Sequence, residues 1–185
     1  MYTERLGAGL GVDEAFSRLA SMVRAAASGD NKLIFVGNGG SAGIASHAAI
    51  DYSKNGGMRA LAFNDGAALT CLANDLGYDH VFSYQIGLHG RRGDVLFAIS
   101  SSGRSNSILN AVRAGRERDC AVVTFSGFDR DNPLREAGDL NCYVSSHEYG
   151  FVEVAHLALI HALLDLTTAG VLLPRSEGRD GRTGK

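Results

Sequence analysis

The stretch of sequence that decides the fold is KLIFVGNGGS, residues 32–41. It starts with a continuous apolar run at residues 33–36 and ends in a loop of glycine, asparagine and serine. A short apolar run that stops at a glycine is typical of a strand buried on both faces of a parallel sheet. Similar runs follow at residues 60–63, 94–99, 121–125 and 140–144. The chain is therefore predicted to contain about five buried parallel strands.

Segments with helical spacing lie between most of these runs. One face of residues 12–28 is apolar and carries Phe16, Leu19, Ala20 and Val23. A comparable pattern covers residues 105–118. Alternating strands and helices predict an α/β protein. We expect a three-layer α/β/α sandwich with a five-stranded parallel sheet, plus an N-terminal helix at about residues 12–28.

The last predicted helix, at about residues 151–168, is apolar nearly all round. A helix of this kind is expected to pack against the sheet or against another subunit. The tail that follows, residues 171–185, is glycine-rich and charged, and we expect it to be disordered. The length suits one domain, which is predicted to span residues 1–170.

The composition excludes several classes of protein. The chain has 24 glycines and two prolines among 185 residues, but no three-residue period, which excludes collagen. Hydrophobic residues make up 45% of the chain, enough to build a core. With 18 basic and 20 acidic side chains the formal net charge is −2, so no broad cationic surface is expected and nucleic acid is not a predicted partner.

The sequence also carries expectations about location. No apolar run approaches the roughly 20 residues of a membrane-spanning helix, and the N-terminus lacks a basic region leading into a hydrophobic stretch. We therefore expect a cytoplasmic protein without a membrane partner. The three cysteines are Cys71, Cys120 and Cys142. Because they are scattered and odd in number, they are predicted to be buried free thiols in a reducing compartment.

The loop at residues 37–41 follows the first predicted strand and precedes a helix. Its glycines let the backbone approach a ligand, and the N–H groups at a helix start favour an anion. The spacing Gly37-x-Gly39-x-x-Ala42 also meets the dinucleotide fingerprint, whose acidic partner would follow about 20 residues later. Asp65 follows 28 residues after Gly37 and fits poorly. A tight strand-to-helix turn without a ligand is the remaining alternative.

A second loop, SSSGRS at residues 100–105, follows the third predicted strand. It offers four hydroxyls, a glycine and the start of a helix, which suit a phosphate group better than a dinucleotide. Ser105 could also serve only as a helix N-cap. In a parallel sheet both loops leave the carboxyl ends of strands on the same edge. Together they predict a site for a small phosphorylated ligand.

Two predicted helices carry histidines and carboxylates. His47 and Asp51 are four residues apart on one helical face, where they could be metal ligands, a catalytic pair or a surface hydrogen bond. The last helix holds Glu153, His156 and His161. Glu153 and His161 differ by about 80° around the helix and by about 12 Å along it, so sharing a metal requires both side chains to lean together. Glu153 and His156 are the easier pair, and His161 could be a core or a functional residue.

These motifs together resemble the sugar isomerase (SIS) domain family, most closely the phosphoheptose isomerases, which act on sedoheptulose 7-phosphate. The resemblance covers residues 12–166 and rests on five features. They are GNGGS at 37–41, SHAAID at 46–51, ND at 74–75, SSSGRS at 100–105, and the last helix with Glu153 and His161. The resemblance implies a flavodoxin-like fold and a homotetramer with its sites at subunit interfaces.

The resemblance also implies roles for individual residues. The substrate contacts would be Asn38, Gly39, Gly40, Ser41, Asp51, Asn74, Asp75, Ser100, Ser101, Ser102, Ser105 and Glu153. The ligands of one zinc ion per subunit would be His47, Asp51, Glu153 and His161. The catalytic groups would be Asp51, Glu153 and His161, with Asp51 or Glu153 as the base. Better-known phosphoheptose isomerases have glutamate in place of Asp51 and glutamine in place of Glu153.

The implied reaction is the isomerisation of D-sedoheptulose 7-phosphate to D-glycero-D-manno-heptose 7-phosphate through an ene-diol. The main alternative is a non-catalytic SIS-domain protein, a phosphosugar sensor or a protein adaptor, which would keep the two loops and lose the histidines. Because His47 and His161 are both present, the sequence favours the enzyme. A nucleotide-binding oxidoreductase is disfavoured by the serine-rich loop and the missing acidic partner.

Overall fold

The computed structural model describes residues 2–4 and 9–169. Its strands, in chain order, are β1 (Tyr2–Glu4), β2 (Gly9–Leu10), β3 (Lys32–Gly37), β4 (Arg59–Ala62), β5 (Val95–Ser100), β6 (Ala121–Ser126) and β7 (Leu140–Tyr143). They form one sheet with the order β2-β1-β7-β6-β5-β3-β4. The predicted tail at residues 171–185 lies outside the described residues.

The five strands β3 to β7 are all parallel, which confirms the predicted parallel sheet. Their order, β4-β3-β5-β6-β7, is the flavodoxin-like order. The sequence did not predict β1 and β2, which extend the sheet as antiparallel strands beyond β7. With three and two residues they are too short to show an alternating apolar pattern.

The helices are α1 (Val12–Ser28), α2 (Gly40–Lys54), α3 (Gly66–Leu76), α4 (Val81–His89), α5 (Asn106–Glu117), α6 (Leu134–Ala137) and α7 (Tyr149–Thr168). A 3₁₀ turn at Tyr78–His80 precedes α4. Helices α1, α2 and α7 pack on one face of the sheet, and α4, α5 and α6 pack on the other. This arrangement is the predicted three-layer sandwich.

The apolar run of β3 supplies both faces of the core. Leu33 and Phe35 face α1, α2 and α7, while Ile34 and Val36 face the opposite layer. The Phe35 ring stacks on Phe97 of β5 with ring centroids 4.7 Å apart. Every residue of β3 and β5 is buried, because helices cover both faces of the sheet.

Helix α7 has one buried and one exposed face. Its buried residues include Val152, His156 and Ile160, while Phe151 and Val154 are 72% and 68% exposed. By length and composition alone, α7 could also cross a membrane, with a mean hydropathy of 1.4. The sequence prediction that no apolar run is long enough to span a membrane is therefore not met by α7. Core helices of soluble proteins can have the same length and composition.

The cysteines only partly follow the prediction. Cys120 and Cys142 are buried, but Cys71 is exposed, so the expectation is wrong for Cys71. The reason is that α3, which carries it, buries none of its residues within the described chain. Burial is also the main cause that raises the pKa of the Cys120 thiol to about 11.

Candidate active site

The two predicted ligand loops lie side by side at the carboxyl edge of the sheet. They follow β3 and β5, which are neighbouring parallel strands. Helix α2 leaves β3 toward one face, and α5 leaves β5 toward the other. A crevice opens where helices diverge in this way, and α/β proteins bind ligands there.

The loop after β3 depends on two glycines. Gly39, the N-cap of α2, has φ +54° and ψ −122°, a conformation that residues with side chains rarely adopt. At Gly40, an added Cβ would overlap the carboxylate of Glu153. Residues 39 and 40 therefore have no side chains that would keep a ligand away from the backbone, and the N–H groups at the start of a helix favour an anion.

The loop after β5 presents its hydroxyls to the same crevice. Ser105 precedes α5, but its side chain makes no capping hydrogen bond, so capping does not explain it. The Ser101 hydroxyl is buried and has no hydrogen-bond partner in the described structure. An unsatisfied buried hydroxyl is costly, so it favours a polar ligand at this position.

Asn38 connects the two loops. Its Nδ2 donates to Ser105 Oγ at 2.8 Å and to Ser107 Oγ at 2.9 Å. Its Oδ1 accepts from the Tyr78 hydroxyl at 2.7 Å. Tyr78 and Ser107 were not predicted, and no local pattern marks them, because both act on a residue far away in the chain. With its amide engaged on both sides, Asn38 holds the loops together.

A cavity of about 280 Å³ lies between the loops. Its lining residues are Asn38, Gly39, Gly40, Ser41, Ile99, Ser100, Ser101, Ser102, Ser105, Tyr149 and Glu153. Two of them, Tyr149 and Glu153, come from the first turns of α7. Eight of the predicted substrate-contacting loop residues thus line one cavity, and the sequence did not predict Tyr149.

His47, Asp51 and His161 come together beside this cavity. His47 Nε2 lies 3.2 Å from Asp51 Oδ2, and His161 Nδ1 lies 3.4 Å from the same oxygen. The two imidazole centroids are 5.1 Å apart. One ligand atom from each residue lies within 4.8 Å of the others, a group able to hold a metal ion. His161 therefore faces this cluster and not the core.

The spacing of these atoms suits a small divalent cation. Zinc binds histidine nitrogen at about 2.0–2.1 Å, so neighbouring ligand atoms in a tetrahedral site lie about 3.4 Å apart. The two separations in the cluster, 3.2 and 3.4 Å, are close to that value. Two imidazoles and a carboxylate are also a donor set that zinc accepts.

Glu153 lies between the serine-lined cavity and this cluster. It lines the cavity between the loops, and it also lines a neighbouring one of about 300 Å³ together with Gly40 and His47. It is outside the group of three candidate ligands. Its carboxylate is half-buried against Gly40 at the amino end of α2, where the helix dipole favours a negative charge.

His156 does not pair with Glu153. It is fully buried, with Nε2 3.2 Å from the Ser126 carbonyl and its ring edge-on to Phe125. Burial lowers its pKa to about 4, so it is neutral at pH 7. The easier pair by helical spacing is therefore not formed, and His156 belongs to the core.

Asn74 and Asp75 lie apart from the cavity in the described chain. Both are exposed near the end of α3, and Asn74 Nδ2 donates to Asp75 Oδ1 at 2.8 Å. Asp65, the poor candidate for a ribose contact, instead caps α3 by accepting from Ala68 N at 2.8 Å. Asp65 therefore has a structural role that needs no dinucleotide.

Comparisons with known proteins agree with this arrangement. The SIS domain pattern matches residues 12–127. The chain is 38% identical to a phosphoheptose isomerase of Bradyrhizobium sp. (strain ORS 278) over 161 residues, 84% of this chain and 81% of that protein. It is 35% identical to a phosphoheptose isomerase of Shewanella frigidimarina over 169 residues, 87% and 86% of the two chains.

Comparison with a solved structure also finds a phosphoheptose isomerase. The chain resembles phosphoheptose isomerase from Neisseria gonorrhoeae with a TM-score of 0.77 and 37% identity. The match covers 83% of this chain and 86% of that one. The likeness therefore extends over most of the domain in both proteins.

Proposed function

Because this chain belongs to the phosphoheptose isomerases of the SIS domain family, we propose that it converts D-sedoheptulose 7-phosphate to D-glycero-D-manno-heptose 7-phosphate. The observation that carries the proposal is the placement of Glu153. Glu153 lines the serine-rich cavity and also a neighbouring cavity that His47 of the histidine cluster lines. A ketose phosphate whose phosphate group is bound in the serine-rich cavity would bring its carbonyl group toward the histidine cluster.

The phosphate group binds at the serine-rich loop in this proposal. Ser100, Ser101, Ser102 and Ser105 supply hydroxyls, and Gly39 to Ser41 supply backbone N–H groups at the start of α2. The partnerless hydroxyl of Ser101 supports this assignment. The exposed Asn74 and Asp75 are further predicted contacts, which a neighbouring subunit would have to bring to the cavity.

The predicted zinc site uses His47, Asp51 and His161, with Glu153 as a fourth carboxylate nearby. The first three residues fit the ion by donor type and by spacing. One zinc ion per subunit, if held by these residues, would supply Lewis-acid stabilisation of negative charge on substrate oxygens.

The reaction moves one proton between carbons and one between oxygens. A base takes a proton from C1 of the ketose and returns it to C2, while the hydroxyl proton passes from O1 to O2. Asp51 is engaged by two histidines through one oxygen, whereas Glu153 makes no hydrogen bond within the described chain. We therefore assign the carbon-bound proton to Glu153 and the oxygen-bound proton to His161.

Glu153→Gln separates the two roles of this side chain. An amide oxygen can still coordinate a cation, but the amide cannot accept a proton. We expect turnover to fall by a factor of roughly 100 to 10,000, the usual contribution of a general base, with zinc binding retained. Full turnover in Glu153→Gln would mean that Asp51, and not Glu153, is the general base.

The test of function is a turnover assay with sedoheptulose 7-phosphate, in which ¹H NMR monitors the formation of the product. The wild-type protein should form the aldose phosphate, and His161→Ala should lose activity without unfolding, since its side chain is 41% exposed. His89→Ala is the matched control, an exposed histidine on α4. Binding of the sugar phosphate without turnover in the wild type would favour the sensor, and activity in His161→Ala would overturn our assignment of its role.

A homotetramer with sites at subunit interfaces is the predicted assembly. Its support is a set of exposed apolar side chains on two neighbouring helices, which we call the α2/α7 face: Ile50 on α2, and Phe151 and Val154 on α7. Val154 lines the same cavity as His47, so the face borders the histidine cluster. Exposed apolar side chains gathered on one surface often mark a protein–protein interface. We also propose a cytoplasmic location, without a nucleic-acid or membrane partner.

A further inference from the structure

Tyr149 is the aromatic wall of the cavity between the two loops. It is the first residue of α7 and is 62% exposed. Its phenol makes no hydrogen bond to any residue that the structure describes. The remaining lining is glycine, serine, asparagine, one isoleucine and Glu153. Tyr149 therefore adds an aromatic ring to an otherwise mostly polar lining, and its hydroxyl has no hydrogen-bond partner among the described residues.

The Tyr149 ring is held by its neighbours. It meets Phe128 edge to face, with centroids 4.9 Å apart and planes at 76°. Phe128 in turn stacks on His147 at 5.8 Å. We call these three side chains the aromatic bracket. Its members come from the loops after β6 and β7 and from the start of α7, so the bracket fixes the ring to the carboxyl edge of the sheet.

The backbone of Phe128 is unusual in a way that supports this bracket. Its φ is +56°, in the left-handed region that residues with side chains seldom occupy. The Tyr143 hydroxyl donates to its carbonyl at 2.6 Å, and its own N–H donates to the Ser146 carbonyl at 2.9 Å. Two hydrogen bonds thus hold a strained conformation that aims the ring at Tyr149, and such strain concentrates at functional sites.

The bracket is also tied to the serine-rich loop. His147 Nε2 lies 3.1 Å from Asp129 Oδ1. Arg104, which is part of that loop, lies 3.6 Å from Asp129 and 3.0 Å from Asp131. The hydrogen bond to His147 and the charge of Arg104 lower the pKa of Asp129. Charged contacts therefore connect the predicted phosphate loop with the side chains that support Tyr149.

The position of Tyr149 along α7 places it near one end of the substrate. It lies one helical turn before Glu153, about 6 Å along the axis, on the side away from His161. In the proposed function the reacting carbons lie near Glu153 and His161. Tyr149 therefore faces carbons nearer to the phosphate.

We propose that Tyr149 contacts the carbon chain of the sugar phosphate next to its phosphate group, packing its ring on the chain and donating its phenolic hydrogen to a chain hydroxyl. Tyr149 is then a determinant of sugar affinity with no part in proton transfer. The proposal rests on the assignment of the serine-rich loop as the phosphate site.

The test compares two ligands, sedoheptulose 7-phosphate in its equilibrium mixture with the product and inorganic phosphate alone. Calorimetry gives the Kd of each for the wild type and for Tyr149→Ala. We expect the Kd of the sugar phosphate to rise about tenfold and the Kd of inorganic phosphate to stay within twofold, because free phosphate has no carbon chain to meet the ring. Tyr149→Phe, which loses only the hydroxyl, should raise the sugar Kd about threefold.

Turnover and a control variant exclude a merely structural effect. In Tyr149→Ala the KM should rise with the Kd while kcat changes less than twofold. Tyr84→Ala removes another exposed tyrosine, on α4, and should change none of these values. An unchanged sugar Kd in Tyr149→Ala overturns the proposal, and so does an equal rise in the Kd of inorganic phosphate, which would mean that the ring supports the phosphate loop.

Because these are binding measurements, they decide the role of Tyr149 even if the protein does not isomerise the sugar. Failure of the proposed function would appear separately, as absence of turnover in the wild type. Failure of the phosphate assignment would also be distinct: Ser102→Ala would then leave the Kd of inorganic phosphate unchanged.

Discussion

The carboxylate of Glu153 lies directly against Gly40, so that a Cβ on Gly40 would overlap both of its oxygens. The two residues are far apart in the chain, since Gly40 belongs to the first turn of α2 and Glu153 to α7. A glycine at position 40 is therefore a condition for placing a carboxylate between the phosphate loop and the histidine cluster.

Gly40→Ala should therefore displace Glu153 and reduce kcat/KM by roughly 100-fold, the effect of misplacing a reacting group by about 1 Å. Since the backbone of Gly40 is helical, the fold should persist, as circular dichroism would show. The control is Gly87→Ala on α4, where an added Cβ meets nothing within 4 Å. Wild-type activity in Gly40→Ala would mean that Glu153 is not needed where it lies.

Zinc should bind at one ion per chain and stabilise the protein. A ligand at 100 times its Kd adds about 2.7 kcal/mol to the free energy of unfolding. We expect zinc to raise the Tm of the wild type after treatment with a chelator, and not that of His47→Ala. His89→Ala should respond like the wild type. An equal response of His47→Ala would place the ion elsewhere.

The α2/α7 face should join subunits. Replacing Phe151 and Val154 together by arginine would bury charge in any interface formed there, so the assembly should dissociate in sedimentation experiments. Leu88→Arg is the control, because Leu88 is 63% exposed on α4. If the double variant has the same sedimentation coefficient as the wild type, the face is not an interface.

His156 should make stability depend on pH. Burial lowers its pKa from 6.5 to about 4, so between these values the unfolded chain binds a proton that the folded chain does not. Stability is therefore lost as the pH falls from 6.5 toward 4, and this loss then levels off. At 1.36 kcal/mol per pH unit it amounts to roughly 3 kcal/mol.

Urea unfolding of the chelator-treated protein at several pH values measures this effect. Leucine at position 156 cannot bind a proton. As the pH falls from 6.5 toward 4, the free energy of unfolding of the wild type should therefore decrease by roughly 3 kcal/mol more than that of His156→Leu. A difference that stays constant from pH 7 to pH 4 would show that His156 is protonated equally in both states.

Asp94 should be important for stability at the opposite edge of the sheet. It is fully buried and accepts from Lys32 Nζ at 2.5 Å, from Lys32 N at 2.9 Å and from Arg91 N at 2.9 Å. Asp94→Ala would leave the Lys32 amine buried without its partner, which costs about 3–5 kcal/mol.

Asp30→Ala provides the contrast for Asp94→Ala. The Asp30 carboxylate pairs with Arg59 at 3.0 Å but is 82% exposed, and an exposed pair contributes about 1 kcal/mol or less. Chemical denaturation of both variants measures the two losses. Equal losses would contradict the importance assigned to the buried pair.

The sequence by itself determined the features that depend on neighbouring residues. Continuous apolar runs such as that of β3 predicted the parallel strands, because burial on both faces removes every polar position from a strand. The two loops were visible because glycine and serine occur together where a strand ends and a helix begins. The same local signals could not reveal β1 and β2, which are too short to carry a pattern.

Only the tertiary structure decided which distant residues meet. Helical spacing paired Glu153 with His156, but the fold turns His156 into the core and brings His161 to Asp51 instead. It also places Tyr149 on the cavity and joins Asn38 to Tyr78. The physical reason is that contacts between elements depend on how helices pack across the sheet, and the spacing of residues within one helix holds no information about that packing.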